Sequence, residues 1–325
     1  MDQIKWGIIG CGNVTEVKSG PAFNKVENSE LVAVMRRDGA LAKDYAERHG
    51  VPKWYDQVED LINDPAVNAI YIATPPNVHE EYTALAMKAG KPVYVEKPMA
   101  RNTQECERMV ALGKALNIPL FVAYYRRTLP YFVKLKELID SKVIGDIRFV
   151  DINLQWQPYD EEVGENAKPR WRVDPEISGG GHFHDLASHQ FDYLEYVLGP
   201  VKQAQGYSRN QAGLYAADDI VVANYEFESG ILGKGSWCYT VNKEQRKDEA
   251  TLTGSKGQIR FSFFEKFDIF VDTAEGTMSY NIPYPEHVQQ PLIETIVKEL
   301  RGEGQCPSTG ETGLRSNLIM DWIAN

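Results

Sequence analysis

The sequence predicts an α/β protein. An N-terminal Rossmann-type dinucleotide-binding domain precedes an α+β domain with a mainly antiparallel sheet. Three observations carry this reading. A strand-like run ends in Gly10-Cys11-Gly12; short β-branched runs then alternate with longer amphipathic runs to about residue 124; beyond that, strand-like runs follow one another with few helices between them.

In chain order, residues 4–10 (IKWGIIG) form a buried strand leading into the glycine loop and a helix start. Further strands are expected over 30–35, 53–55 (short), 69–73, 92–95 and 119–123. Between them, Asp56 stands before QVEDLI and Asn77 before VHEEYTALAMKAG, while Asn102 is followed three residues later by Glu105. Each is a helix-start signature. Gly90 supplies a helix-ending glycine. We place the domain boundary here, with residues 1–124 as the nucleotide-binding domain and 125–325 as the substrate-binding and oligomerisation domain.

In the second part, PYFVKLKELIDSK forms a helix that leads to Gly145. Strands are expected over 147–156, 201–209, 219–227, 230–240, 249–253, 258–263 and 267–271, with turns such as Ser229-Gly230 and Lys256-Gly257. A helix near 184–198 interrupts the series, and helices over 286–301 and 311–324 close it.

The chain has 325 residues, 43% hydrophobic and 25% charged, enough for two ordinary domains and unlike a disordered or coiled-coil chain. Lys+Arg 35 against Asp+Glu 46 gives a net charge of -11, which repels nucleic acid and anionic membranes. No run approaches the roughly 18 to 20 apolar residues of a membrane span, and the N-terminus enters a strand without a leader, so a cytoplasmic location is expected. Cys11, Cys106, Cys238 and Cys306 lie far apart and form no CxxC or CxxH pair, so neither disulfides nor structural zinc are expected.

In a dinucleotide fold, Gly10 would make the tight turn and Gly12 would let backbone N–H groups approach the pyrophosphate. The third fingerprint position is Thr15 rather than Gly or Ala. At the end of the second strand, where an NAD site places an acid, the chain has Arg36-Arg37-Asp38. A guanidinium suits a 2′-phosphate, so NADP is favoured, with NAD as the alternative through Asp38. Thr74-Pro75-Pro76-Asn77-Val78-His79 and Glu96-Lys97-Pro98 follow strands at their carboxyl ends, where open α/β sheets bind ligands. In GGGHFHDLASHQFD, Asp185 and His189 are four residues apart and share a helical face with Asp192. Proton transfer is the favoured role for this group, ahead of a structural histidine and of a metal site including His182 and His184.

GIIGCGNV, ATPPNVH, VEKP and GGGHFHDLASHQFD, in this order, resemble the Gfo/Idh/MocA oxidoreductases, the family of glucose-fructose oxidoreductase and inositol dehydrogenase. The likeness spans essentially the whole chain. It implies a Rossmann domain, then a domain on a large open sheet whose exposed face forms dimer or tetramer contacts, and a cis peptide before Pro98. It also implies Lys97, Asp185 and His189 as the catalytic lysine, acid and histidine. Gly10, Gly12, Asn13 and Val14 fall on the pyrophosphate loop, Thr74, Pro75, Asn77 and His79 along the cofactor, and Glu96 beside the nicotinamide. Tyr125 and Arg126 border the substrate.

The polar segment 157–177, with Tyr159, Trp171 and Arg172, reads as a lid over the active site. Aromatic faces, including Trp156, and charged hydrogen-bonding groups suit a sugar, keto sugar or cyclitol. An aromatic dihydrodiol is the alternative substrate, and a non-catalytic NAD(P)-binding regulator the alternative function; intact Lys97, Asp185 and His189 argue against the regulator.

Overall fold

The computed structural model describes residues 1–163 and 170–324. The chain packs as two compact units: Met1–Leu129 with Pro285–Arg315, and Pro130–Tyr284 with the stretch from Ser316 onward.

In the first unit, strands β1 (Ile4–Ile9), β2 (Ser29–Met35), β3 (Lys53–Tyr55), β4 (Ala69–Ile72), β5 (Val93–Val95) and β6 (Leu120–Val122) form one parallel sheet in the order β3-β2-β1-β4-β5-β6. This is the doubly wound order, and its switch point lies between β1 and β4. Strand alternation sends Trp6, Ile8, Ala69 and Tyr71 into the core on one face, and Ile9, Ile70 and Ile72 into the core on the other. Burial on both faces is why these strands read as continuous apolar runs.

The helices differ in detail from the sequence expectation. Asn102 caps the helix Thr103–Leu116, its Oδ1 accepting from Glu105 N at 3.0 Å. Asn77 does not cap a helix: it lies inside the 3-10 turn Pro76–Val78, and the helix is His79–Lys88. Gln57, not Asp56, precedes Val58–Asn63. A further helix, Gly39–His49, is not anticipated from the sequence; Asp38 caps it, with Oδ1 accepting from Ala40 N and Leu41 N.

The segment 285–315, which the sequence places with the second domain, packs with the first. Its helix Gln290–Arg301 buries Leu292, Ile293, Ile296 and Val297 in the same core as Trp6 and Tyr71. Thr309 adds a bridge to Phe121 of β6. An amphipathic helix packs wherever its apolar stripe is best buried, and sequence distance does not limit that choice.

The second unit holds β7 (Ile147–Gln155), β8 (Val201–Arg209), β9 (Ile220–Phe227), β10 (Leu232–Cys238), β11 (Lys247–Gly254), β12 (Gly257–Phe261), β13 (Asp268–Thr273) and β14 (Gly276–Asn281). They form an eight-stranded sheet in the order β14-β13-β12-β11-β7-β10-β9-β8, antiparallel except where β10 joins β7. β14 is not anticipated from the sequence. Alternation buries Val221, Ala223, Tyr225 and Phe227 on one face and exposes Val222 on the other. The helix Gly181–Leu198 lies on the buried face, with Phe183 against Trp237, Phe191 against Tyr225, and Trp237 Nε1 donating to Gln190 Oε1 at 2.6 Å.

Candidate active site

In the first unit the candidate residues gather at the carboxyl ends of the parallel strands. Gly10 has a φ of +92°, and a Cβ there would come within 2.7 Å of Thr74 Cγ2 and 3.0 Å of Ala73 C. Only glycine lets the loop after β1 pass this close to the end of β4. Gly12 differs: its nearest neighbour for a Cβ is Gly10 O at 3.8 Å, so the chain itself leaves room for a side chain that the sequence does not use. The space beside Gly12 is open to a ligand.

The loop is braced from within. Gly10 N and Cys11 N donate to Met35 O at 2.8 and 3.2 Å, and Gly12 N donates to Thr15 Oγ1 at 3.0 Å. Thr15, the departure from the glycine fingerprint, is buried, and its hydroxyl also donates to Gly12 O at 2.8 Å. The following helix, Asn13–Val17, is short; Tyr45 OH donates to Thr15 O at 2.8 Å, and Gly20 passes so close to Thr15 O that a Cβ would lie 2.2 Å from it. Burial pushes the Cys11 thiol up to about 11.

Arg36 Nη1 donates to Cys11 O at 3.3 Å, which holds this guanidinium at the glycine loop. Arg37 is exposed beside it, and the Asp38 carboxylate is engaged as a helix cap. Thr74 Oγ1 is buried and has no hydrogen-bond partner among the described residues, so a polar group of a ligand would satisfy it. Pro75 is half-buried and Asn77 exposed. His79 is fully buried, with Nε2 2.8 Å from Thr74 O and Nδ1 3.2 Å from both Pro98 O and Met99 O. It braces the two loops from behind, and burial lowers its basicity.

The Lys97-Pro98 peptide is cis, as the resemblance implies. Lys97 is half-buried. Glu96 is buried; its Oε1 accepts from Tyr71 OH at 2.6 Å and Gln289 Nε2 at 2.6 Å, and its Oε2 accepts from Lys97 N at 3.1 Å. Gln289 has no recognisable sequence signal, because it reaches Glu96 from 193 residues away. Tyr125 and Arg126 lie on the 3-10 turn after β6, the buried Arg126 with its guanidinium 5.2 Å from the Tyr125 ring centre.

In the second unit, Asp185 and His189 lie on the helix Gly181–Leu198, both buried. Arg172 Nε donates to Asp185 Oδ2 at 3.0 Å, and the Arg172 guanidinium stacks 4.4 Å from the Trp171 ring centre. The His189 ring lies 6.3 Å from Phe264, which in turn meets Trp156 at 5.6 Å. The Arg246 guanidinium lies over Trp156, 4.8 Å from its ring centre. The preceding glycines serve the chain's own packing. A Cβ at Gly180 would lie 2.0 Å from His184 Nδ1, and one at Gly181, where φ is +73°, 2.6 Å from Ala217 Cβ.

The histidines near Asp185 have separate partners: His182 Nε2 meets Glu162 Oε2 at 2.9 Å, and His184 Nε2 lies 4.0 Å from Asp321 Oδ1. Among the described residues, no group of three His, Cys, Asp or Glu side chains is placed to hold a metal. Of the expected lid, residues 164–169 lie outside the described residues. No helix among the described residues is long and apolar enough to cross a membrane.

Residues 4–124 match the family described as an oxidoreductase family with an NAD-binding Rossmann fold, and residues 132–260 match the GFO/IDH/MocA C-terminal domain. The chain is 43% identical over 319 residues to Oxidoreductase P35 of Formosa agariphila, covering 98% of each chain. It is 30% identical to trans-1,2-dihydrobenzene-1,2-diol dehydrogenase of Xenopus tropicalis, over 89% of this chain and 83% of that one. In fold it resembles levoglucosan dehydrogenase, solved in complex with NADH and levoglucosan, with a TM-score of 0.86 at 21% identity over 98% and 96% of the two chains. The glycine loop, the parallel sheet order, the Glu96-Lys97-Pro98 turn and the match along both domains therefore make this chain a member of the Gfo/Idh/MocA family of NAD(P)-binding oxidoreductases.

Proposed function

We propose that the chain transfers hydride between NADP and a carbinol or carbonyl carbon of a sugar, keto sugar or cyclitol. The observation that carries this reading is the retention of Lys97, Asp185 and His189 in a chain of this family, with Asp185 and His189 on one helical face. When bound, the nicotinamide supplies the hydride acceptor or donor. Lys97 holds the substrate oxygen and stabilises its negative charge as it develops. His189 takes the hydroxyl proton in oxidation and returns it in reduction. Asp185, ion-paired to Arg172, orients the substrate and the histidine. Tyr125, Arg126, Trp171 and Arg172 bind the substrate, the aromatic rings offering flat faces for a sugar ring.

For the cofactor, Gly10 and Gly12 supply clearance, and Asn13 and Val14 supply the N–H groups that face the pyrophosphate, since those of Gly10, Cys11 and Gly12 are spent inside the protein. Thr74, Pro75, Asn77 and Glu96 line the cofactor, with His79 behind them. NADP is preferred to NAD because the Arg36 guanidinium is held at the loop, while Asp38 Oδ1 is taken up by its helix cap.

A dihydrodiol substrate is the second reading. It is favoured by the named relative and by the aromatic cluster of Trp156, Phe264 and His189. The chain also forms a homodimer or homotetramer in this reading: the exposed sheet face carries Tyr207 at 77% exposure, Leu232 at 55% and Val222 at 47%, which is apolar surface an assembly would cover. A monomer in sedimentation equilibrium would reject that assembly, and cell fractionation checks the expected cytoplasmic location.

The testing experiment is a nicotinamide-fluorescence titration with NADPH and NADH, followed by turnover on a panel of sugars, keto sugars, cyclitols and a dihydrodiol. Lys97→Ala and His189→Ala should each lower kcat by about 100-fold or more with cofactor affinity kept. Near-normal turnover in both rejects the assignment.

A further inference from the structure

We infer that Gln289 is a positioning residue for turnover: it fixes the Glu96 carboxylate and, through it, the backbone that carries Lys97. The inference rests on the proposed roles of Glu96 and Lys97. Gln289 is fully buried; its Nε2 donates to Glu96 Oε1 at 2.6 Å, and its Oε1 accepts from Tyr94 OH at 2.7 Å. Tyr71 OH donates to the same Glu96 oxygen at 2.6 Å, and the Tyr71 and Tyr94 rings stack at 4.8 Å. The other carboxylate oxygen receives the Lys97 N–H at 3.1 Å.

The amide orientation is dictated by these partners. A carboxylate can only accept, so it faces the NH₂, and the phenol then donates to the carbonyl. Burial and the nearby Glu96 charge push both phenols well above their ordinary value, so they remain donors throughout. An amide is the side chain that can donate to Glu96 and accept from Tyr94 at once. With it, the acid is held by three donors on a short loop. Without it, a buried carboxylate keeps two donors and Tyr94 loses its acceptor, a half-satisfied network.

Gln289 is itself anchored beside the glycine loop. Its backbone N donates to Lys18 O at 3.2 Å, and the ring of His287 reaches Val17 O at 2.7 Å. The returning segment thus spans from the short helix of the glycine loop to the Glu96-Lys97 turn.

The test uses the full chain with Gln289→Met, Gln289→Glu and Lys97→Met. Gln289→Met keeps side-chain length and removes both hydrogen bonds; kcat should fall about tenfold or more while the NADPH dissociation constant stays within about threefold. Gln289→Glu makes every bond of the amide when protonated, donating to Glu96 and accepting from Tyr94, and loses the donor when ionised. Its kcat relative to the parent should be near one at acidic pH and fall about fivefold or more as pH rises toward 9, while the Gln289→Met ratio stays flat.

The titratable groups facing this site are Glu96, Tyr71, Tyr94, Tyr125, His79, Cys306 and Lys97; all are shared by parent and variant, so the ratio isolates residue 289. Melting reads the contact without turnover. A carboxyl introduced at this buried position beside Glu96 should stay protonated above its unfolded pKa, so the Tm deficit of Gln289→Glu should widen as pH rises above the ordinary glutamate value. A pH-independent Tm deficit, or a Gln289→Met enzyme with kcat within about twofold of the parent, overturns the inference. If Lys97→Met alone retains turnover, the lysine assignment fails, and acid recovery of Gln289→Glu still decides the role of Gln289.

Discussion

The two glycines of the first loop should respond to the same substitution in opposite ways. Gly10→Ala places a Cβ at a φ of +92°, 2.7 Å from Thr74 Cγ2 and 3.0 Å from the Ala73 carbonyl carbon. The left-handed backbone costs about 1–2 kcal/mol for a residue with a side chain. Crowding the end of β4 adds about 1–3 kcal/mol, since the Thr74 methyl can rotate but the Ala73 backbone cannot easily give way. The sum is about 2–5 kcal/mol, and each kcal/mol is worth about 2–4 °C in Tm for a domain of this size.

Gly12→Ala meets no protein atom closer than 3.8 Å, and its backbone is extended, with a φ of -151°. Stability should change by less than about 1 kcal/mol, with any small gain arising through the unfolded chain. The methyl group instead occupies the cradle proposed for the pyrophosphate. Losing one charge-assisted hydrogen bond at about 1.5–3 kcal/mol weakens NADPH binding by about 10- to 150-fold. Thermal melting and fluorescence titration on the two variants read both effects. A Gly12→Ala protein that melts like Gly10→Ala and binds NADPH like the parent would refute the division of roles.

Replacing Arg36 and Arg37 together with alanine should raise the KM for NADPH by about 10-fold or more and that for NADH by less than about threefold; equal changes in steady-state assays would remove the NADP preference. Ile296→Ala, at a fully buried position of the returning helix, should cost about 2–5 kcal/mol and lower the Tm of the first unit, an effect absent if that helix belonged to the second. The hydrogen bond from Arg48 is the main cause that lowers the Glu16 carboxyl from 4.5 to about 2, with His49 assisting. A depressed carboxyl stabilises the fold above its unfolded pKa and loses that contribution as pH falls through the folded one. Comparing Glu16→Gln with the parent by melting should therefore show a Tm difference above pH 4.5 that closes on acidification toward pH 2; because the pair is largely solvated, the difference should be small.

What was legible depended on how far a residue's partner lies along the chain. The Asn102 cap bonds three residues ahead, and Asp185 and His189 share a helical face by spacing alone, so both follow from the local pattern. Asp38 carries two local signals at once: its place at the end of β2 suits a ribose hydroxyl, and its Oδ1 accepts from the N–H groups of Ala40 and Leu41. The unanticipated helix Gly39–His49 has the same origin, since its start signal is that cap. His79 followed its motif to the right loop, but its burial arises from Pro98 and Met99 on the neighbouring loop.

The sequence by itself determined most of the strands and helices in their order, the glycine loop, the family and the residues available for chemistry, because these are written in periodicity, turn residues and short motifs; the helix Gly39–His49 and β14 escaped it. The tertiary structure alone decided that 285–315 completes the first unit, that Gly180 and Gly181 make room for His184 and Ala217, and that Gln289 holds Glu96. Those outcomes depend on which buried surface and which unsatisfied polar group meet after folding, and no local pattern encodes a partner nearly two hundred residues away.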